Sequence, residues 1–181
     1  MNLDDKDYAV WLEGDKRGFE ELVIRHKDHM IYFIQRYVPS FVDAEDLAQD
    51  VFVEVLLHPE RYQLGRGFKT YLYTIAHNKA VDWVRKHSKE VLTEEYPEEA
   101  DSFTLEQHVL DQERKNELAR VIKQLKPEEQ MLLLLADVEE LSYKEIAEVM
   151  GLSLPQTKVR IHRLRHKMRD ILQREGLTYE K

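Results

Sequence analysis

The sequence predicts an all-α protein of two small helical domains joined by an acidic flexible linker, and three observations carry that prediction. Helix formers such as Leu, Glu, Lys, Arg, Gln and Ala are abundant, whereas the 181 residues include only 6 Gly and 5 Pro, and turn-rich strand spacing is absent. Apolar residues recur at steps of three and four, the spacing of one helical face. Charge is segregated along the chain, so the formal net charge of −8 conceals basic blocks inside an acidic protein. A hydrophobic fraction of 43% supports real cores in a chain long enough for one ordinary domain or two small ones.

The first helical unit runs from Tyr8 through Trp11, Leu12, Phe19, Leu22, Val23, Ile31, Phe33 and Ile34 and ends before Pro39. A further helix starts at Asp43, an N-cap residue type, carries Ala44, Leu47, Val51 and Val55 on one face and acids on the other, and stops at His58-Pro59. The stretch ERYQLGRG holds two glycines and reads as a loop. After it Phe68, Leu72, Ile75, Ala76 and Val84 mark a long helix, which closes a first domain of residues 1–90.

Residues 91–115 read as a linker, interrupted by Pro97 and turning helical around Leu105. A second domain, 116–181, follows. Pro127 suits the first position of a helix through EEQMLLLLADV. The SYKE and SLPQ segments at 142–145 and 153–156 are capping boxes that start two more helices on either side of Gly151.

Several function classes drop out. The sequence has no cysteine, so thiol chemistry, disulfides and thiolate metal sites are excluded. The pairs His26/His29 and His162/His166 lack a third ligand at convincing spacing, and no metal or cofactor is expected. No phosphate-cradling glycine loop, serine nucleophile motif or metalloprotease pattern occurs, so no catalytic residue is assigned and the protein reads as a non-enzyme. The acidic N-terminus and the lack of a long apolar run point to a cytoplasmic protein without membrane insertion.

Nucleic acid remains open despite the acidic average. Residues 66–89 hold six bases and one acid, a net of +5, and residues 151–174 hold seven bases and one acid, a net of +6. Residues 91–117 hold nine acids and two bases, a net of −7. Two basic sites for an anionic polymer and separate acidic surfaces for another partner follow. In the second basic block, Ile146, Ala147, Met150, Gly151, Leu152, Thr157, Ile161, Leu164 and Met168 have the spacing of a helix-turn-helix. Its second helix then turns Gln156, Lys158, Val159, Arg160, Arg163 and Arg165 outward to bases and phosphates.

Four segments, EGDKRGFEELVIRHKDHMIYFIQRYV, DAEDLAQDVF, FKTYLYTIAHNKAVDWVRK and LSYKEIAEVMGLSLPQTKVRIHRLRHKMRDIL, together resemble an extracytoplasmic-function (group four) sigma factor of bacterial RNA polymerase. The resemblance spans nearly the whole chain and implies a sigma region two bundle followed by a region four helix-turn-helix. It implies that Asp43, Glu45, Asp46, Gln49, Asp50 and Glu54 dock on the clamp helices of the largest subunit of core RNA polymerase.

It also implies that loop 62–67, with Tyr62, Gln63, Leu64 and Arg66, captures an unstacked base of the −10 element. The following helix would contact and melt that element through Lys69, Tyr71, Tyr73, Thr74, His77, Asn78, Lys79, Asp82, Arg85 and Lys86, with Trp83 expected in the core. Tyr71 stands where the family usually has Trp. Region four reads the −35 element as duplex DNA; PQTKVR replaces the more usual GTVKSR, so the preferred sequence is expected to differ. The linker resembles an acidic connector threaded through polymerase channels, and an anti-sigma factor is an expected partner. Two other readings are a free-standing helix-turn-helix regulator and a helical adaptor that never touches DNA. Co-purification with core polymerase and footprinting by the holoenzyme separate them.

Overall fold

The computed structural model describes residues 2–87 and the backbone of 112–176, with side chains described from 116 onward in the second segment. The expected flexible linker therefore lies almost wholly outside the described residues. Among those described there is no strand, and the chain divides into two compact units, Met1–Ala100 and Asp101–Lys181.

The first unit contains α1 (Leu3–Leu12), α2 (Lys16–Ile34), α3 (Phe41–Leu57), a 3₁₀ turn (Pro59–Arg61) and α4 (Phe68–Lys86). The N-terminal helical unit is made of α1 and α2. Gly14 takes a φ of 103°, a conformation open to glycine, and the Asp15 carboxylate caps α2 by accepting from the Arg17 amide at 3.0 Å. Where α1 crosses α2, a Cβ on Gly18 would overlap the Asp7 carbonyl oxygen and lie 2.7 Å from the Trp11 amide nitrogen. Backbone on both sides leaves nothing to yield. Gly18→Ala is therefore expected to lower stability by ~2 kcal/mol, although alanine in an unobstructed helix interior would raise it. The midpoint of denaturant unfolding reads this directly.

The N-cap of helix α3 lies three residues earlier than expected. Ser40, not Asp43, is the N-cap, its hydroxyl accepting from the Asp43 amide at 3.3 Å. Asp43 sits in the first turn, where a negative charge complements the helix dipole. The core is built from Tyr8, Leu22, Met30, Phe33, Val51, Val55, Phe68, Leu72 and Tyr73, while Leu47, Ile75 and Val84 are only half-buried.

The second unit contains α5 (Gln112–Lys123), α6 (Pro127–Leu133), which widens into a π-helical turn (Leu134–Val138), α7 (Tyr143–Met150) and α8 (Leu154–Arg174). The described part of α5 covers the last residues of the stretch expected to be linker, where the chain was expected to have turned helical. The buried Gln130 side chain joins the end of α5 to the turn after it, its amide donating to Ile122 O at 3.1 Å and to Leu125 O at 3.0 Å. Pro127 opens α6 as expected. Ile146, Val149, Ile161, Leu164 and Ile171 join Met131, Leu132 and Leu135 in the core, whereas Met168 is half-buried.

Candidate nucleic-acid interface

Both capping boxes of the helix-turn-helix form. Ser142 Oγ accepts from the Glu145 amide at 3.3 Å while Ser142 N donates to Glu145 Oε2 at 2.8 Å, which starts α7. Gly151, with φ of 63°, ends it, and the Leu152 amide returns to Ala147 O at 2.9 Å. Ser153 then starts α8, accepting from the Gln156 amide at 3.3 Å and donating to Gln156 Oε1 at 3.0 Å. The turn is thus fixed by local hydrogen bonds, and fully buried Thr157 ties down the first turn of α8 by donating to Ser153 O at 3.0 Å.

On the outer face of α8, Gln156, Lys158, Val159, Arg163 and Arg165 are exposed and Arg160 is half-buried. Because Gln156 Oε1 is committed to the cap, its amide NH₂ is the group left for a base edge. Three cations on α8 are already partnered within this unit. Arg160 pairs with Glu128, Arg165 donates to Asp137 at 3.2 Å and to the Tyr143 hydroxyl at 3.1 Å, and Lys167 meets Glu129 at 2.6 Å. The π-helical turn places Asp137 for its contact. Tyr143, Lys158, Val159, His162, Arg163 and Arg165 line one shallow depression. Tyr143 and His162 were not among the residues expected there. The His162 and His166 rings meet edge to face with centroids 4.4 Å apart, and among the described residues no group of three metal-ligating side chains occurs.

In the first unit, α4 and its preceding loop hold the other expected DNA residues. Gln63, Leu64, Arg66, Asn78, Asp82, Arg85 and Lys86 are exposed; Lys69, Tyr71, Thr74, His77 and Lys79 are half-buried. Two tyrosines expected at bases are buried. Tyr73 is fully buried with its ring edge-on to Phe33, and Tyr62 is 6% exposed, packed between Tyr8, Phe68 and Tyr71. Neither ring face is open to a base. Trp83, expected in the core, is half-buried and stacks on His87. Thr74 turns its hydroxyl back to Thr70 O at 2.7 Å. His77 shares a 2.7 Å hydrogen bond with the Tyr37 hydroxyl, and burial pushes its pKa below the usual imidazole value.

The acidic helix divides in a way its sequence does not announce. Asp46, Gln49 and Asp50 are exposed, and among the described residues neither aspartate is paired. Asp43 and Glu45 are half-buried, Glu45 lying 3.4 Å from Lys27. Glu54 is held between Lys79 at 2.8 Å and Arg61 at 3.0 Å, and the Lys79 hydrogen bond with these charges keeps its carboxyl below the usual range. On the face of Asp46 and Asp50, Val42 (65%), Val53 (47%) and Leu57 (66%) stand exposed, side chains the expectation did not include. The signal was present: α3 has more apolar residues than one buried stripe can absorb.

The chain matches the family models sigma-70 region 2 over residues 22–90 and sigma-70, region 4 over residues 115–168. It is 32% identical over 152 residues to the RNA polymerase sigma factor YlaC of Bacillus subtilis, covering 82% of this chain and 88% of that one. It is 34% identical over 159 residues to the extracytoplasmic-function sigma factor SigE of Mycolicibacterium smegmatis, covering 86% of this chain and 62% of that one. Two solved structures share the fold, each with a TM-score of 0.61: CnrH in complex with the cytosolic domain of CnrY, at 23% identity over 95% of this chain and 98% of that one, and Bartonella quintana RpoE in complex with the anti-sigma factor NepR, at 20% identity over 88% and 98%. With a helical bundle and a helix-turn-helix in the order of those two regions, the chain belongs to the extracytoplasmic-function sigma factors, non-enzymatic alternative sigma factors for transcription initiation.

Proposed function

We propose that the two units divide promoter recognition between them: residues 1–90 dock on the polymerase clamp helices and melt the −10 element, residues 116–181 read the −35 duplex, and 91–115 connect them. The observation that carries this is the opposed character of surfaces within each unit. In the first, α3 offers Asp46, Gln49 and Asp50 between exposed Val42, Val53 and Leu57, suited to a basic coiled-coil partner with apolar ridges, while α4 offers Asn78, Arg85 and Lys86. In the second, the capped turn presents the Gln156 amide, Val159 and Arg163, chemistry for purine edges and a thymine methyl, with Lys158 for phosphate.

Within the loop, the exposed Gln63, Leu64 and Arg66 supply a polar edge, an apolar wedge and a cation for one unstacked base; Tyr62 and Tyr73 act from the core. No helix among the described residues is long and apolar enough to cross a membrane, which fits a cytoplasmic factor. RpoE, which shares the fold, is bound to the anti-sigma factor NepR, and this supports an anti-sigma factor as a further partner. The test is run-off transcription with purified core enzyme and genomic fragments. Discrete transcripts are expected only with both proteins present, and none should arise from the Asp46→Lys/Asp50→Lys variant; transcripts undiminished by that variant would place docking elsewhere.

A further inference from the structure

The first unit contains a buried carboxylate to which the docking and promoter surfaces give no role. Asp5, on α1, is 1% exposed, and its Oδ1 accepts both the Tyr62 hydroxyl at 2.6 Å and the Gly65 amide at 3.2 Å. These donors bracket Gln63 and Leu64, the exposed apex of the loop, and lie 57 and 60 residues away along the chain. Around the apex the backbone is otherwise held by a turn, Arg66 N to Gln63 O at 3.2 Å, with Gly65 inside it at a φ of 84° and Gly67 just after it at 83°. Such a turn alone has little to fix its direction.

Helix α1 is itself anchored. Asp4 meets Arg25 at 2.5 Å and His26 at 2.9 Å; burial pushes its carboxyl up, but these partners outweigh it and leave the pKa below the usual value. Tyr8 donates to Pro59 O at 2.9 Å and packs against Tyr62 and Phe68. A carboxylate buried against two neutral donors is costly to desolvate, and an apolar side chain would fill the space at lower cost. What the carboxylate adds is one fixed point for both flanks of the apex.

We propose that Asp5 is a positioning residue for promoter opening: its Oδ1, by holding Tyr62 and Gly65, aims Gln63, Leu64 and Arg66 at the unstacked −10 base. The proposal rests on the reading of loop 62–67 as the base-capturing surface. Asp5 touches no DNA and acts through the loop.

The test uses holoenzyme made from the full-length chain and core polymerase, with a pool of single-stranded DNA randomised over a short window as probe and sequencing of the retained strands. Gln63→Ala and Leu64→Ala identify the position that the apex reads. Asp5→Ala is expected to lower base preference at that same position about tenfold, the scale set by losing one or two hydrogen bonds to a charged group. Asp5→Asn keeps an acceptor oxygen and should lose less than about threefold, with Tyr62→Phe between the two. Preference at other positions and affinity for core polymerase should stay within about twofold. If Asp5→Ala fails to fold, Asp5→Asn and Tyr62→Phe carry the comparison. Variants that lower the melting temperature yet leave preference unchanged make Asp5 a purely structural residue and overturn the proposal. If the two apex variants leave every position unchanged, the loop reading itself falls, and the proposal with it.

Discussion

Replacing Asp46 and Asp50 together by lysine is expected to lower affinity for core RNA polymerase by about 100-fold or more, with the circular dichroism spectrum and melting temperature unchanged. Both side chains are exposed and unpaired among the described residues, so reversal breaks nothing inside the unit. At the interface each change removes an attraction and adds a repulsion, and like charges set face to face across a contact cost several kcal/mol. Val53→Ala and Leu57→Ala should weaken the same complex with little salt dependence, because they remove apolar area rather than charge.

Glu54→Lys is the instructive contrast. It would set a third cation against Lys79 and Arg61, and its expected effect is loss of stability before loss of docking. Fluorescence titration against core enzyme, beside thermal melts, separates the two. Unchanged affinity in the Asp46/Asp50 double variant would move the docking surface off α3.

What the sequence made legible was local. The capping boxes at Ser142 and Ser153 and the left-handed Gly151 lie within a few residues of their partners, so the turn and the face of α8 could be read from spacing alone. Helix phase did the same for Asp46, Gln49 and Asp50. What stayed hidden depends on contacts between distant residues. Asp5 meets Tyr62 across 57 positions, which converts a loop aromatic suited to stacking into a core residue. Tyr73 lies one step from the exposed stripe of α4, and only the packing of Phe33 shows that it faces inward. Ser40 won the cap of α3 over Asp43 because Phe41 and Val42 can extend the helix, and both residue types are competent caps. The acids that partner Arg160, Arg165 and Lys167 come from α6 and its π-helical turn, outside the motif that announced those cations.

That last set of pairs ranks the proposed contacts to the −35 element. Arg163 is exposed and lies in the depression with Lys158 and Val159, whereas the Arg160 guanidinium is engaged by Glu128. Arg163→Ala is therefore expected to cost about 1–3 kcal/mol at the preferred sequence and little at others. Arg160→Ala should cost less, since an exposed pair worth up to about 1 kcal/mol must be given up before Arg160 reaches DNA. Lys158→Ala should weaken binding to all sequences alike and reduce the salt slope by about 1, as expected of a phosphate contact. Glu128→Gln supplies the reverse case. It releases Arg160 and removes a negative charge beside the duplex, so affinity should rise for every sequence and the salt slope should steepen by about 1, with no gain in discrimination. The measurement is equilibrium binding of holoenzyme to preferred and scrambled −35 duplexes over a range of salt. If Arg160→Ala proves as selective as Arg163→Ala, and Glu128→Gln leaves non-specific affinity unchanged, the Glu128 pair does not compete with DNA and Arg160 belongs among the base-reading residues on equal terms.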